Sequence, residues 1–234
     1  MSADRARSSQ RPLPRRPPSI AKPQYRPQRV LVPRSANQPA DSAATGRNLY
    51  VIVLIDVVGS AAHDIQGQRR MRDDLYRLVT DLAADNGFDL DRLLYHDNGD
   101  GFRFVVPLSL LPPTQVIDTF VGGLTAGLRE HRRYVSEQAR IRLRVCFDLG
   151  LVEAHRGSWA GDVLVRASRL IAAEPVREAL RTEPDADLAA VVSDAMYDLV
   201  VRHGYGHTPP DSYREIRVRV KEFEGRAWLL VPRR

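Results

Sequence analysis

The sequence predicts a domain of the α+β class, in which a sheet is flanked by helices. Two observations carry this prediction. Short apolar runs rich in β-branched residues alternate along the chain with amphipathic helical stripes, and some of these runs stand in pairs with only a few turn residues between them. Paired runs indicate antiparallel hairpins, which a purely parallel sheet does not contain. With 234 residues and 43% hydrophobic content, the chain has enough apolar residues for one sizeable core.

The first half of the domain gives the clearest elements. The run LYVIVLID begins after Asn48, ends at Asp56 and predicts a buried strand. Apolar residues at 71, 75, 78, 79 and 82 form the stripe of an amphipathic helix over residues 66–85, which Asn86-Gly87 closes. The runs LLYH and FRFVV then predict a hairpin around the turn DNGDG.

The second half repeats this alternation. Pro112-Pro113-Thr114 starts a second helix, and IRLRVCFDLGLV predicts a long strand. GDVLVRASRLIAA and EPVREAL are predicted as consecutive helices. The strand LAAVVSD, a helix over residues 196–201 and the closing strands YREIRVRVK and RAWLLVP complete the domain.

Residues 1–46 differ in composition from the rest of the chain. They hold nine Lys or Arg, two Asp and eight of the sixteen prolines, so their net charge is about +7. Because the net charge of the whole chain is +6, residues 47–234 have a net charge of about −1. Such a segment cannot bury a core, and we predict a disordered basic tail followed by one domain over residues 47–234. The tail is either a solvated extension or a tether for an anionic or polyproline-binding partner. The near-neutral domain argues against a basic nucleic-acid-binding face.

Several classes of protein are excluded by missing features. The single cysteine, Cys146, excludes an internal disulfide and a cysteine metal cluster. No apolar run approaches the roughly 18 residues of a membrane helix, and no apolar segment follows the basic N-terminus as it would in a signal peptide. We therefore expect a cytoplasmic protein. Neither a GxSxG nucleophile elbow nor a Walker A motif is present.

Two acidic residues give the main functional signal. Asp56 ends the first strand, and Gly59 in the following turn lets a phosphate approach backbone N–H groups. Asp100 lies in the hairpin turn, and each acid alone can equally be a turn residue. If the strand and the hairpin are neighbours, the two carboxylates meet and repel each other unless a cation lies between them. Oxygen ligands without His or Cys suit Mg²⁺ or Mn²⁺, and two such ions can neutralise a triphosphate.

The order of the motifs LYVIVLIDVVGS, YHDNGDGFRFVV, RLRVCFDLGLVEAH and GDVLVRASRLI resembles the catalytic domain of the class III nucleotidyl (adenylate/guanylate) cyclases. The resemblance spans about residues 49–234 and implies a ferredoxin-like sandwich with a mixed, mostly antiparallel sheet flanked by helices. It also implies two Mg²⁺ or Mn²⁺ ions and a nucleoside triphosphate as substrate. The motifs VVSD, VVRHGY and VKEFEGRAWLLVP additionally resemble a group of actinobacterial proteins of unassigned role.

This resemblance assigns roles to individual residues. Asp56, Asp100 and the carbonyl of Val57 would bind the metal ions. Arg169 would stabilise charge on the transferred phosphoryl group, and Lys221 would contact the triphosphate. Without the resemblance, Arg169 would be interpreted as a solvated charge on a helix.

The positions for base and ribose depart from the family pattern. His96 occupies the base-choosing position, which is Lys in adenylate cyclases and Glu in guanylate cyclases, and its neutral ring offers one donor and one acceptor. That gives no purine preference and could suit a pyrimidine. Ser158 replaces the second base contact, which is Asp or Cys. Val165 stands in place of the ribose-orienting asparagine, and Arg166 or Asp162 is the nearest substitute.

Three functions are compatible with this sequence, and Asp56 and Asp100 favour the first of them. The first is a cyclase that forms a 3′,5′-cyclic nucleotide and pyrophosphate in a homodimer with shared sites, since the family pairs its chains head to tail. The second, which Val165 favours, is a cyclase-like domain that binds nucleotide or a signalling partner without turnover. The third is an unrelated α+β binding module. One step along a helix rotates Arg166 by about 100° from Val165, so we expect slow or no turnover with ATP and GTP.

Overall fold

A computed structural model describes residues 46–88, 90, 94–97, 101–155 and 158–232, and leaves out the side chains of residues 94–97, 154, 155 and 158. The strands are β1 (Arg47–Val57), β2 (Leu94–Asp97), β3 (Gly101–Pro107), β4 (Leu143–His155), β5 (Ser158–Ala160), β6 (Leu188–Ser193), β7 (Arg214–Val220) and β8 (Phe223–Leu230). The helices are α1 (Ile65–Asp85), α2 (Pro113–Arg132), α3 (Asp162–Ile171), α4 (Glu174–Thr182) and α5 (Asp194–Leu199). The basic tail lies outside the described residues except for Gly46, so the tail and its boundary stay predictions.

All eight strands belong to one sheet. Seven of them follow the order β2-β3-β1-β4-β6-β8-β7, and β5 pairs with β4 beside this path. Strands β4 and β6 are parallel because α3 and α4 cross over between them, whereas the other described pairs are antiparallel. The predicted α+β class with a mixed, mostly antiparallel sheet is therefore confirmed.

Helices cover both faces of the sheet. One core cluster joins the sheet to α1 and α2, with Phe104, Phe120 and Phe147 fully buried, and the other joins the opposite face to α3 and α4. Residues 50–55 of β1 are all buried because alternate side chains enter the two clusters. This two-sided burial explains why the sequence of β1 is a continuous apolar run and does not alternate.

The helix boundaries follow local signals in the sequence. Asp64 caps α1 by accepting a hydrogen bond of 2.7 Å from the N–H of Gly67, and Gly87 follows the helix with a φ of +70°. Helix α2 begins at Pro113. Proline lacks an N–H, but the first N–H groups of a helix have no partner within the helix, so no helical hydrogen bond is lost there. Across the part of the chain that is described, no helix combines the length and the apolar character needed to cross a bilayer.

Candidate functional site

The C-terminal end of β1 places Asp56 between two other strands. Asp56 stands opposite Gly101 of β3 on one side and opposite Arg144 of β4 on the other. The first strand and the hairpin are thus sheet neighbours, which is the arrangement that a shared cation site between Asp56 and Asp100 requires. Asp100 precedes Gly101 in the sequence and lies outside the described residues, so its role as a metal ligand stays a prediction.

Gly101 is required by the close approach of β1. A Cβ atom at this position would lie 1.9 Å from the carbonyl oxygen of Ile55, a distance that no side chain tolerates. The glycine therefore has a packing role in addition to any role in the turn. It brings the start of β3 against the residue that precedes Asp56.

The carboxylate of Asp56 is held by an arginine. The Nε of Arg144 donates to Oδ2 of Asp56 over 2.7 Å, and its Nη2 donates to the same oxygen. Both side chains are partly buried. The charge of Asp56 is thus balanced by Arg144, a residue that sequence reasoning did not select. Only the register of β1 against β4 pairs the two, and a single sequence does not display register.

A divalent ion suits the oxygen donors at this end of β1. The Asp56 carboxylate and the Val57 carbonyl are hard ligands of the kind that Mg²⁺ and Mn²⁺ prefer. Among the described residues, no group of three or more His, Cys, Asp or Glu side chains could hold a metal. A site here would therefore depend on backbone oxygen and on Asp100, and the ion would replace Arg144 as the counter-charge of Asp56.

Gly59 has a backbone reason to be glycine. Its φ of +77° lies in the left-handed region, and it opens the short 3₁₀ turn Ser60–Ala62. An added Cβ would meet nothing within 4 Å, so the space beside the turn is open. Exposed backbone at a positive-φ glycine allows the close approach of a phosphate that the sequence analysis expects.

Helix α3 holds the residues that the sequence analysis placed at the phosphoryl and ribose end of the site, Asp162, Val165, Arg166 and Arg169. Val165 is exposed, with 53% of its surface accessible. The guanidinium of Arg166 is already bound within the protein, because its Nε and Nη2 donate to the two carboxylate oxygens of Asp148 over 2.8 and 2.9 Å. These hydrogen bonds raise the pKa of Arg166. A ribose contact by Arg166 stays a prediction and would have to use its remaining donors.

The partner of Arg166 is a fully buried acid. Asp148 lies on β4 with no exposed surface, and its Oδ1 also accepts from the N–H of Leu149. Arg166 donates further to the carbonyl of Leu149 over 3.1 Å. The pair therefore fixes α3 to β4. The two residues are 18 positions apart in the chain, so their pairing could only be found in three dimensions.

Arg169 lies beside the turn that carries Lys221. Its Nη2 donates to the Glu222 carboxylate over 3.1 Å, and Lys221 and Glu222 form the two-residue turn between β7 and β8. Lys221 is the only described non-glycine residue with a positive φ, at 54°. The fold thus brings Arg169 and the Lys221 turn together, as two cationic groups at one site require.

Only the backbone is described for the two base-contact positions. His96 lies on β2 opposite Arg103 of β3, and Ser158 begins β5 opposite His155 of β4. Their side chains lie outside the described part of the chain. Their roles in base selection stay predictions.

Comparisons with known proteins find no matching family model and no matching curated protein. Solved structures do match. The adenylate/guanylate cyclase/hydrolase from Silicibacter pomeroyi is 16% identical with a TM-score of 0.56, over 80% of this chain and 98% of that chain. The guanylate cyclase domain of RhGC from Catenaria anguillulae, solved in complex with GTP, is 14% identical with a TM-score of 0.51, over 80% and 100%. A dimeric guanylyl cyclase domain of the RhoGC fusion protein from Blastocladiella emersonii is 11% identical with a TM-score of 0.51, over 81% and 99%.

The helix-flanked mixed sheet is therefore the architecture of nucleotidyl cyclase catalytic domains. More specifically, the chain has a class III nucleotidyl cyclase-like fold. The resemblance seen in the motifs is confirmed at the level of the fold. At identities of 11 to 16%, these matches show the fold and not the reaction.

Proposed function

We propose that this protein is a divergent class III nucleotidyl cyclase that binds a nucleoside triphosphate and converts it slowly to a 3′,5′-cyclic nucleotide. In this reaction the ribose 3′ oxygen bonds to the α-phosphorus, the bond from that phosphorus to pyrophosphate breaks, and the hydroxyl proton passes to water. The observation that carries the proposal is Asp56, which lies at the end of β1 directly opposite Gly101 in a cyclase-like fold.

Asp56, the Val57 carbonyl and Asp100 would hold Mg²⁺ or Mn²⁺. When bound, such ions neutralise phosphate charge and increase the acidity of the attacking hydroxyl. Gly59 would offer backbone N–H groups to a phosphate, which its positive φ and the open space beside it support. The release of Arg144 from Asp56 would leave that guanidinium close to the incoming triphosphate.

Arg169 and Lys221 would supply the positive charge on the phosphoryl side. Their shared position around the β7–β8 turn supports this pairing. Following the resemblance, we propose that two chains pair and that Arg169 acts on nucleotide held by Asp56 of the other chain. A cytoplasmic location agrees with the one cysteine, which is buried and unpaired.

Nucleotide binding without turnover is the second candidate, and the exposure of Val165 favours it. An exposed valine on α3 can neither donate nor accept a hydrogen bond, so the ribose would lose the contact that the family's asparagine provides. Loss of one donor that acts in the transition state typically lowers the rate by about 10²- to 10³-fold.

The two candidates separate in one assay. The full chain is incubated with each of the four nucleoside triphosphates and Mn²⁺, and cyclic product is sought by mass spectrometry beside a measurement of nucleotide binding. Asp56→Asn is the test variant. Asp85→Asn is the matched control, because it removes the same charge from the exposed end of α1.

Cyclic product from the wild type and from Asp85→Asn, but not from Asp56→Asn, supports the cyclase. Metal-dependent binding that Asp56→Asn abolishes, with no product, supports the binding domain. If the wild type neither binds nor converts any of the four nucleotides, both proposals fail.

A further inference from the structure

One arginine near the candidate site forms no ion pair with any acid whose side chain the structure describes. Arg103 is the third residue of β3 and stands opposite Leu54 of β1 and opposite His96 of β2. Leu54 and Val105 both belong to the core cluster on the α3 side of the sheet. Because Arg103 lies opposite Leu54 and two residues before Val105, its side chain leaves the sheet on that same face. Asp56 shares the face, because it lies two residues beyond Leu54 along β1.

The environment of Arg103 is unfavourable for a cation. Its Nε is buried and has no hydrogen-bond partner, and none of the described carboxylates forms an ion pair with it. Burial lowers the pKa of its guanidinium from the ordinary value. Arg144 and Arg166, in contrast, both pair with a carboxylate on neighbouring elements. An unpaired buried donor destabilises the folded chain, so Arg103 needs an explanation.

Packing explains only part of this side chain. The aliphatic stem of an arginine can cover apolar neighbours such as Leu54 while its charged end reaches water. Methionine would cover the same surface without the cost of a buried, unpartnered Nε. A stability argument therefore leaves the guanidinium unexplained. Its terminal nitrogens, which are not among the buried unpartnered atoms, are the donors that a ligand with hydrogen-bond acceptors could reach.

We propose that Arg103 selects the base of the bound nucleotide and favours guanine. This inference rests on the proposed function, since it requires a nucleotide in the Asp56 site. Arg103 pairs in register with His96, which the motif resemblance places at the base. The phosphate-binding groups, in contrast, lie at the Asp56–Gly101 end of the strands.

Guanine fits the donor geometry of an arginine. Its O6 and N7 are adjacent acceptors, which the two parallel N–H groups of a guanidinium can bind together. Adenine presents N7 beside the N6 amino donor, so one of the two bonds is lost and a donor faces a donor. A single bidentate contact of this kind discriminates between the bases by about 10-fold or more.

The test compares binding of 3′-deoxy-GTP and 3′-deoxy-ATP in Mg²⁺ by isothermal titration calorimetry on the full chain. Neither analogue can cyclise, because the attacking hydroxyl is missing. Arg103→Met removes the charge and the donors, and Arg103→Lys keeps the charge but removes the paired donors. Arg129→Met, on the exposed surface of α2, is the matched control for loss of positive charge.

We expect the wild type and Arg129→Met to bind the guanine analogue about 10-fold more tightly than the adenine analogue. Arg103→Met and Arg103→Lys should lose that preference while binding of the adenine analogue is unchanged. Arg103→Met should also melt about 2–4 °C higher than the wild type, since an unsatisfied buried group is removed.

Equal weakening of both analogues by Arg103→Met would mean that the arginine contacts phosphate, and it would overturn the inference. A wild type that binds both analogues equally would overturn it as well, and both results leave the proposed function standing. A lower melting temperature with loss of all binding would assign Arg103 a structural role and also reject the inference. If the wild type binds neither analogue, the inference fails, and the proposed function is decided separately by the assay with all four nucleoside triphosphates.

Discussion

Replacement of Arg166 by Met removes the only described counter-ion of a fully buried acid. Asp148 has no exposed surface, and Arg166 donates to both of its carboxylate oxygens. The variant would leave a charge inside the domain with a single remaining hydrogen bond, from the N–H of Leu149. The perturbation acts through Asp148, which stays in place, more than through the atoms removed from α3.

The magnitude follows from that burial. Removal of one partner of a buried ion pair destabilises a protein by about 3–5 kcal/mol. For a domain of this size, 1 kcal/mol corresponds to roughly 2–4 °C, so Arg166→Met should lower the melting temperature by roughly 6–20 °C. Arg169 lies on the same helix but pairs with Glu222, which is 72% exposed, so Arg169→Met should cost only about 0–1 kcal/mol.

Urea and thermal unfolding, followed by circular dichroism on the full chain, measure both losses. The double variant Asp148→Leu/Arg166→Met should recover most of the stability, because both charges leave together and apolar side chains replace them. The coupling between the two positions is then obtained from the two single variants and the double variant.

Two results would contradict this account. One is a loss from Arg166→Met no larger than the loss from Arg169→Met, which would mean that the Asp148 pair does not hold α3 to β4. The other is an Arg166→Met variant with wild-type stability but without cyclase activity. That outcome would place Arg166 at the ribose, in the role of the missing asparagine, and not at Asp148.

Three further outcomes are expected. Asp56→Asn should abolish metal-dependent nucleotide binding in calorimetry, and it should destabilise the free protein by about 1 kcal/mol, because Arg144 loses its charged partner; unchanged binding would exclude Asp56 from the metal site. Val165→Asn should raise any measurable cyclase rate, with Val165→Ala as the control that adds no donor, and equal rates would end the ribose explanation. Gly101→Ala should destabilise the domain by about 1–3 kcal/mol in urea unfolding, because its Cβ would collide with the carbonyl of Ile55, and wild-type stability would disprove the close approach.

The elements of the fold were predictable because each has a local signal. The continuous apolar run of β1, the stripe of α1 and the proline at the start of α2 lie within single stretches of sequence. Strand β5 was missed, since three residues are too few to show a period. The short 3₁₀ turns within the described ranges, such as Ser60–Ala62, were missed for the same reason.

Candidate site residues could be selected from the sequence only where a motif is continuous. Asp56 was selected at the end of the first strand, and the register of β1 and β3 places it opposite Gly101, the residue after Asp100. Arg144 and the Asp148–Arg166 pair were not, because each depends on contacts between residues far apart in the chain. The sequence predicts repulsion between Asp56 and Asp100, whereas the neighbour that the structure describes for Asp56 is the cation Arg144.

The position of β7 at one end of the strand order bears on how copies of this protein can assemble. Its exposed side chains include Arg214, Arg217 and Arg219, three arginines within seven residues. Glu215 is exposed on the same strand, so β7 carries an excess of positive charge, and charged edge strands resist pairing between copies. The charge on this strand therefore disfavours the growth of a continuous sheet from one copy to the next through β7.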